Sequence, residues 1–284
     1  MLYLILFVAA VIPVVALCYF IYARDVNREP AKLLATVFIL GFFSAIPVVI
    51  IELILGMVFT TENVTNLVQL FINVFIGVAL IEEGFKWIIT KLVAFNNKEF
   101  DEVYDIIVYS VFASLGFACI ENILYVIQGG LGLAVMRGLL SIPGHTCFGV
   151  IMGYFFAQAK LGKVNGNKNV QNSNFVFSIL APTLVHTAYD TILFGVSALN
   201  SMILLIVFFV FDIAMVVLCF FTVFKMSKIQ QKLNKNLETG VIFTNPNGLI
   251  GYNGETTKEI NFCPVCGQSA RGYNYCKSCG FKLK

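Results

Sequence analysis

The sequence predicts an all-α membrane protein: a polytopic bundle of about seven transmembrane helices carrying a small C-terminal β zinc ribbon. Three observations predict it. Of the 284 residues, 58% are apolar and only 12% charged, about half the charged share of a soluble domain. The apolar residues fall into runs near the roughly 20 residues that a bilayer crossing needs. Finally, four of the eight cysteines crowd into two C-x2-C pairs within the last 22 residues.

The opening run, MLYLILFVAAVIPVVALCYFIYAR, has no basic residue ahead of its apolar stretch. That stretch is too long for the core of a signal peptide, so it reads as a retained first span over 2–23. Further spans are expected over 33–59, 67–95, 104–128, 131–159, 175–198 and 200–224. Their connectors alternate. Arg24, Arg28 and Lys32 follow the first span, Lys91 and Lys98 the third, Lys160, Lys163 and Lys168 the fifth, and Lys225, Lys228, Lys232 and Lys235 the seventh. TTENVTN, QGGLG and ALNS carry no cation. The positive-inside rule assigns the basic connectors to the cytoplasm. The expected protein is multi-pass in the cell membrane, with its N-terminus outside and its C-terminal segment inside. The net charge of +3 belongs to these loops and the tail, and no nucleic-acid partner is expected.

After the core over 1–224, KMSKIQQKLNKNLETG reads as a short basic helix along the inner membrane surface. TNPNGLIGYNGETTKE reads as a linker, and the two together make a juxtamembrane unit over 225–259. In the last unit, 260–284, CPVCG and YCKSCG place Cys263, Cys266, Cys276 and Cys279 as two knuckles with nine residues between them. That spacing fits one structural Zn2+ held by four thiolates, in a module suited to binding a protein partner. Two disulfides are the alternative, and a reducing cytoplasm disfavours them. The other cysteines, Cys18, Cys119, Cys147 and Cys219, stand singly in apolar runs as buried thiols.

Ionisable residues inside the spans are costly and face a bundle interior or a cavity. Here they are Glu52, Glu82, Glu83, Lys86, Glu121, Arg137, His145, His186, Asp190 and Asp212, and they include both histidines of the protein. Counting along the spans at about 1.5 Å per residue brings Glu82, Glu83, His145 and His186 to mid-depth, with Glu121 and Asp190 slightly further out. In ALIEEGFKW, Lys86 lies one helical turn from both Glu82 and Glu83; in LVHTAYD, His186 and Asp190 share a face. Adjacent carboxylates with imidazoles at one depth supply the acid and base that activate water. The plainer alternative is that such pairs only tie helices together. Glu52, Arg137 and Asp212 fit no motif and are expected in such helix-to-helix pairs.

In order, EEGFK, FACIEN, the isolated PGH and HTAYD resemble the four motifs of the PrsW family of intramembrane proteases, distant relatives of the CAAX prenyl proteases. At the second motif the CAAX-type enzymes have FxxxH, where this chain has Glu121. The resemblance covers most of 1–224. It implies cleavage of a single-span membrane protein, typically an anti-sigma factor in envelope-stress signalling. It also implies Glu82, Glu83, Glu121, His145, His186 and Asp190 as the active-site residues. Two mechanisms fit: a glutamate activates water with a histidine as its partner, or His145, His186 and a carboxylate hold a second Zn2+. No GxSxG or GxGD is present, which disfavours serine and aspartyl intramembrane proteases. The competing classes are an ion-coupled transporter and a metal- or stress-sensing membrane adaptor with a structural polar core.

Overall fold

The computed structural model describes residues 1–62, 64–164 and 166–239. The expected linker and zinc ribbon, with Cys263, Cys266, Cys276 and Cys279, lie outside the described residues. Within them the chain is helical and has no strand: α1 (Leu2–Ala23), α2 (Ala31–Leu55), α3 (Leu67–Phe95), α4 (Asp105–Leu139), α5 (Ser141–Val164), α6 (Lys168–Ala198) and α7 (Met202–Thr239).

Six segments, rather than the expected seven, are long and apolar enough to cross a membrane. The correction falls on the fourth and fifth spans, which form one segment, Asp105–Lys163, of 59 residues. QGGLG is too short and too apolar to make a separate loop there. Only Gly130 leaves helical geometry, at φ +75, a conformation that glycine adopts without a Cβ penalty. The segment doubles back at this glycine: Arg137 bonds Asn122, Gly149 lies on Val111, and Gly153 lies on Ile107. Residues equidistant from Gly130 thus face each other across two antiparallel arms. Leu140 interrupts the second arm only slightly, because Leu140 N–H bonds Met136 and Gly144 N–H bonds Leu140.

A second correction concerns the basic stretch after 224. It forms no separate surface helix. α7 runs unbroken through 38 residues, with no glycine or proline to stop it and a length of roughly 57 Å at about 1.5 Å per residue.

The first arm of the hairpin is the centre of the bundle. From Asp105 to Cys119 nearly every α4 side chain is buried, packed by α1, α2 and α5. Approach to α2 is at backbone distance. A Cβ on Gly116 would overlap the Phe38 carbonyl, and one on Gly41 would overlap that of Ala113. Small residues permit this kind of contact between membrane helices. Gly116→Ala is therefore expected to destabilise the protein by about 1–3 kcal/mol. Thermal unfolding in detergent measures it, and an unchanged midpoint would refute the close crossing.

The basic connectors gather at one end of the bundle. Ser227 donates to the Arg24 carbonyl at 2.6 Å, Asn27 to Glu102, and Tyr104 to the Ile21 carbonyl at 3.3 Å. The Lys160 ammonium lies 3.5 Å from the Phe95 carbonyl. At the opposite end, Leu6 and Ala10 of α1 pack on Val126 and Ala134 around the hairpin tip. Between the ends, apolar side chains such as Phe43, Leu53, Ile203 and Val210 are more than half exposed, as a lipid-facing surface requires.

Candidate active site

α3 is not uniform. Its central α-helical stretch, Leu80–Ile89, lies between two π-helical stretches, Phe75–Ala79 and Thr90–Phe95. Wide turns of this kind are common at functional sites. The stretch between them carries Glu82, Glu83 and Lys86, all buried.

Lys86 is the hub of the site. Its ammonium donates to Glu82 Oε2 at 3.0 Å and to Glu83 Oε1 at 2.8 Å, and it lies 3.2 Å from His145 Nδ1. The Phe117 ring covers it at 4.4 Å. An ammonium can only donate, so Nδ1 of His145 accepts and Nε2 carries the proton. That Nε2 lies 2.9 Å from Glu121 Oε2. The other oxygen of Glu121 lies 3.2 Å from Arg137, and Arg137 Nε donates to Asn122 at 3.0 Å. Asn122 in turn donates to the Ala10 carbonyl at 2.8 Å, tying the site to α1.

His186 completes the constellation from α6. Its Nδ1 is 3.1 Å from Glu83 Oε1 and its Nε2 is 3.3 Å from Asp190 Oδ2. Ionised carboxylates only accept. Either both nitrogens of His186 donate, as in imidazolium, or one carboxyl holds the shared proton. Phe148 stacks on the ring at 4.5 Å and 19°, and the two histidine rings are 5.7 Å apart. Ser114 donates to the His145 carbonyl at 2.7 Å, fixing the height of α5 against α4.

All six residues singled out from the sequence therefore meet in one network. Sequence reasoning missed Asn122 and Phe148, and it left Arg137 and Glu52 outside any motif. Arg137 sits fifteen residues from Asn122 across the hairpin, a contact visible only once the turn at Gly130 is known. Glu52 is close enough to feel the charge of Glu82 and Glu121, and its Oε1 is buried without a hydrogen-bond partner. Asp212 is buried but does not join the network.

The site has an inner and an outer side. Glu83 and Lys86 are fully buried, while the Glu82, Asp190 and Glu121 side chains are 7%, 13% and 22% exposed. The second group forms the more accessible side of the site. Five carboxyl groups, counting Glu52, surround Lys86 and Arg137 here, a donor set that suits a bound cation. Two trios, Glu82 with Glu83 and His186, and Glu82 with Glu121 and His145, bring one ligand atom per residue within 4.8 Å of each other. Carboxylate and imidazole suit a catalytic metal, so the polar groups here could hold one. Lys86 stands between the trios and would have to share its partners with the ion.

Comparison with known proteins bears on the same residues. A family model described as the PrsW family intramembrane metalloprotease matches residues 29–219, which contain the whole site. Protease PrsW of Oceanobacillus iheyensis is 38% identical over 190 residues, 67% of this chain and 83% of that protein. Protease PrsW of Bacillus subtilis is 34% identical over 190 residues, 66% of this chain and 83% of that protein. Protease PrsW of Clostridioides difficile is 34% identical over 193 residues, covering 66% and 79%. No solved structure matches. The likeness spans most of the chain and the entire polar network, and by it this chain is a protease that belongs to the PrsW family of intramembrane metalloproteases.

Proposed function

We propose that the protein is an endopeptidase that cuts a single-span membrane protein within the bilayer, with an anti-sigma factor of an envelope-stress pathway as its substrate class. The observation that supports this best is the meeting of Glu82, Glu83, Glu121, His145, His186 and Asp190 from four helices in one buried network. A polar core used only for packing would not need both histidines and an open side.

In this reading Glu82 is the base. It is the more exposed of the adjacent pair, and its Oε1 accepts no hydrogen bond from the described residues. It takes a proton from water as the water oxygen attacks the scissile carbonyl. Glu83, fully buried, holds Lys86 and His186 in place. The His186–Asp190 pair returns a proton to the leaving amine, and His145 and Arg137 hold the Glu121 carboxylate in place at the open side. The family's metal would be held at Glu82, which the two trios share, with His186 and Glu83 or with His145 and Glu121. It would supply a charge that polarises the carbonyl and acidifies water.

The test is reconstitution of the full chain in proteoliposomes with a tagged single-span anti-sigma factor. Two membrane-derived fragments should appear with the wild type and none with His186→Ala. If neither protein cuts while only the wild type conducts ions, the transporter reading replaces this one.

We assign the thiolates Cys263, Cys266, Cys276 and Cys279 a structural zinc and a protein-docking role. Two zinc ions per chain are then expected. One should disappear when the four cysteines become serine, and the other when His145 and His186 both become alanine. Elemental analysis of the purified variants reads this directly, and a wild type with a single ion, lost with the cysteines, would sink the metal-dependent mechanism.

The gathered basic connectors support a cytoplasmic placement for that end of the bundle. A reporter after Asn200 should then score external and one after Lys235 internal; the reverse would invert the topology.

A further inference from the structure

At the basic end of the bundle, sixteen residues before Glu121 along α4 and so about 24 Å from the site, a second acidic cluster is built from three parts of the chain. Asp25 and Glu29 come from the connector after α1, Glu102 from the connector before α4, and Asp105 is the first residue of α4. Each is at most 8% exposed, and Asp105 is fully buried. One carboxylate oxygen each from Asp25, Glu102 and Asp105 lies within 4.8 Å of the others.

The hydrogen bonds around the cluster leave it unbalanced. Asp105 Oδ2 accepts the backbone N–H groups of Asp101, at 3.0 Å, and Glu102, at 2.6 Å. Glu102 accepts from Asn27, and Glu29 from the Tyr109 hydroxyl. Both oxygens of Asp25 and Oδ1 of Asp105 are buried with no hydrogen-bond partner. The backbone amides of Val26, Asn27 and Glu29 flank the Asp25 carboxylate without completing a bond to it.

The arginines of the connector are engaged elsewhere. Arg24 lies over the rings of Phe20 and Phe224, and Arg28 over Tyr22. Among the described residues no lysine or arginine pairs with Asp25, Glu29 or Asp105. Burial and the neighbouring Glu102 push the Asp25 carboxyl up to about 7, and burial pushes that of Glu29 up to about 8. Unpaired buried carboxylates of this kind are costly, and they are normally paired or coordinate a metal.

We propose that Asp25, Glu102 and Asp105, with Glu29 beside them, bind a hard divalent cation at the membrane surface, at a site separate from the catalytic network. The donors are all oxygen, which suits Mg2+, Mn2+ or Ca2+ rather than a thiolate- or imidazole-seeking metal. Their span also fits: Ca2+ stands about 2.3–2.6 Å from its ligands, so opposed oxygens lie about 5 Å apart. Bound there, the ion clamps the end of α1 and both connectors to the start of α4, the helix that carries Glu121.

The test uses the full chain in detergent, stripped with a chelator and titrated with Tb3+, a hard-cation probe that Tyr104 and Tyr109 would sensitise. One saturable emission is expected, persisting in His186→Ala and at least tenfold weaker in affinity in Asp25→Asn and Glu102→Gln. Whichever of Mg2+, Mn2+ and Ca2+ displaces Tb3+ at the lowest concentration identifies the ion, and it should raise the wild-type melting temperature. A folded wild type with no saturable emission and no thermal shift overturns the site. So does binding that Asp25→Asn and Glu102→Gln leave unchanged. Because the readout is binding, failure here is distinct from failure of the protease mechanism.

Discussion

Glu82→Gln is expected to lower cleavage by at least about a hundredfold while leaving the protein as stable as the wild type. Glutamine keeps the shape of the side chain, and its carbonyl can still accept the Lys86 ammonium that now lies 3.0 Å from Glu82 Oε2. Lys86 also retains Glu83, at 2.8 Å, so no buried cation is stranded. What disappears is the open oxygen that takes the proton from water. Glu83→Gln should differ. It removes the charge that faces both Lys86 and His186, so both cleavage and melting temperature should fall. The pair of variants separates the roles: proteoliposome cleavage and thermal unfolding are measured on each. Normal cleavage by Glu82→Gln would remove it as the base. Equal stability of the two variants would remove Glu83 as the anchor.

Several features of this site were legible because they are local. Glu82–Lys86, Glu83–Lys86 and His186–Asp190 are contacts one turn apart on a single helix, and helical spacing alone places them together. The contacts between helices, such as His145 with Lys86, His186 with Glu83 and Arg137 with Glu121, depend on rotation and height that a count of residues per span only approximates. The two π-helical stretches of α3 alter that rotation by an amount no apolar pattern records. The turn between the fourth and fifth spans was placed at QGGLG, but its form was not legible: a single glycine at φ +75 reverses the chain while its neighbours stay helical, so the two arms form one segment. The continuation of α7 beyond 224 was hidden by a change from apolar to basic residues, which marks the edge of the membrane but does not end a helix. The acidic cluster escaped notice because the connectors were read for their cations, while the pair Asp25 and Glu29 is far in sequence from the pair Glu102 and Asp105, and the two meet only when α1 and α4 pack.

Lys86→Met is expected to have the largest effect on stability of any single change in the protein. The side chain is fully buried, and its ammonium meets Glu82, Glu83 and His145. Removing it leaves two adjacent carboxylates in the apolar interior with no fixed cation between them, a loss of about 3–5 kcal/mol by analogy with other broken buried pairs. His145 loses the donor at Nδ1 at the same time, so cleavage should be abolished as well. Lys86→Arg should not restore it, because the planar, forked guanidinium cannot occupy a closed site shaped around a compact ammonium. The double variant Lys86→Met with Glu83→Gln discriminates between charge and packing. Relief of one stranded carboxylate should raise its melting temperature above that of Lys86→Met alone, and cleavage should stay absent because His186 has lost its anchor. A Lys86→Met protein that melts with the wild type and still cuts would show that the ammonium neither holds nor organises the network.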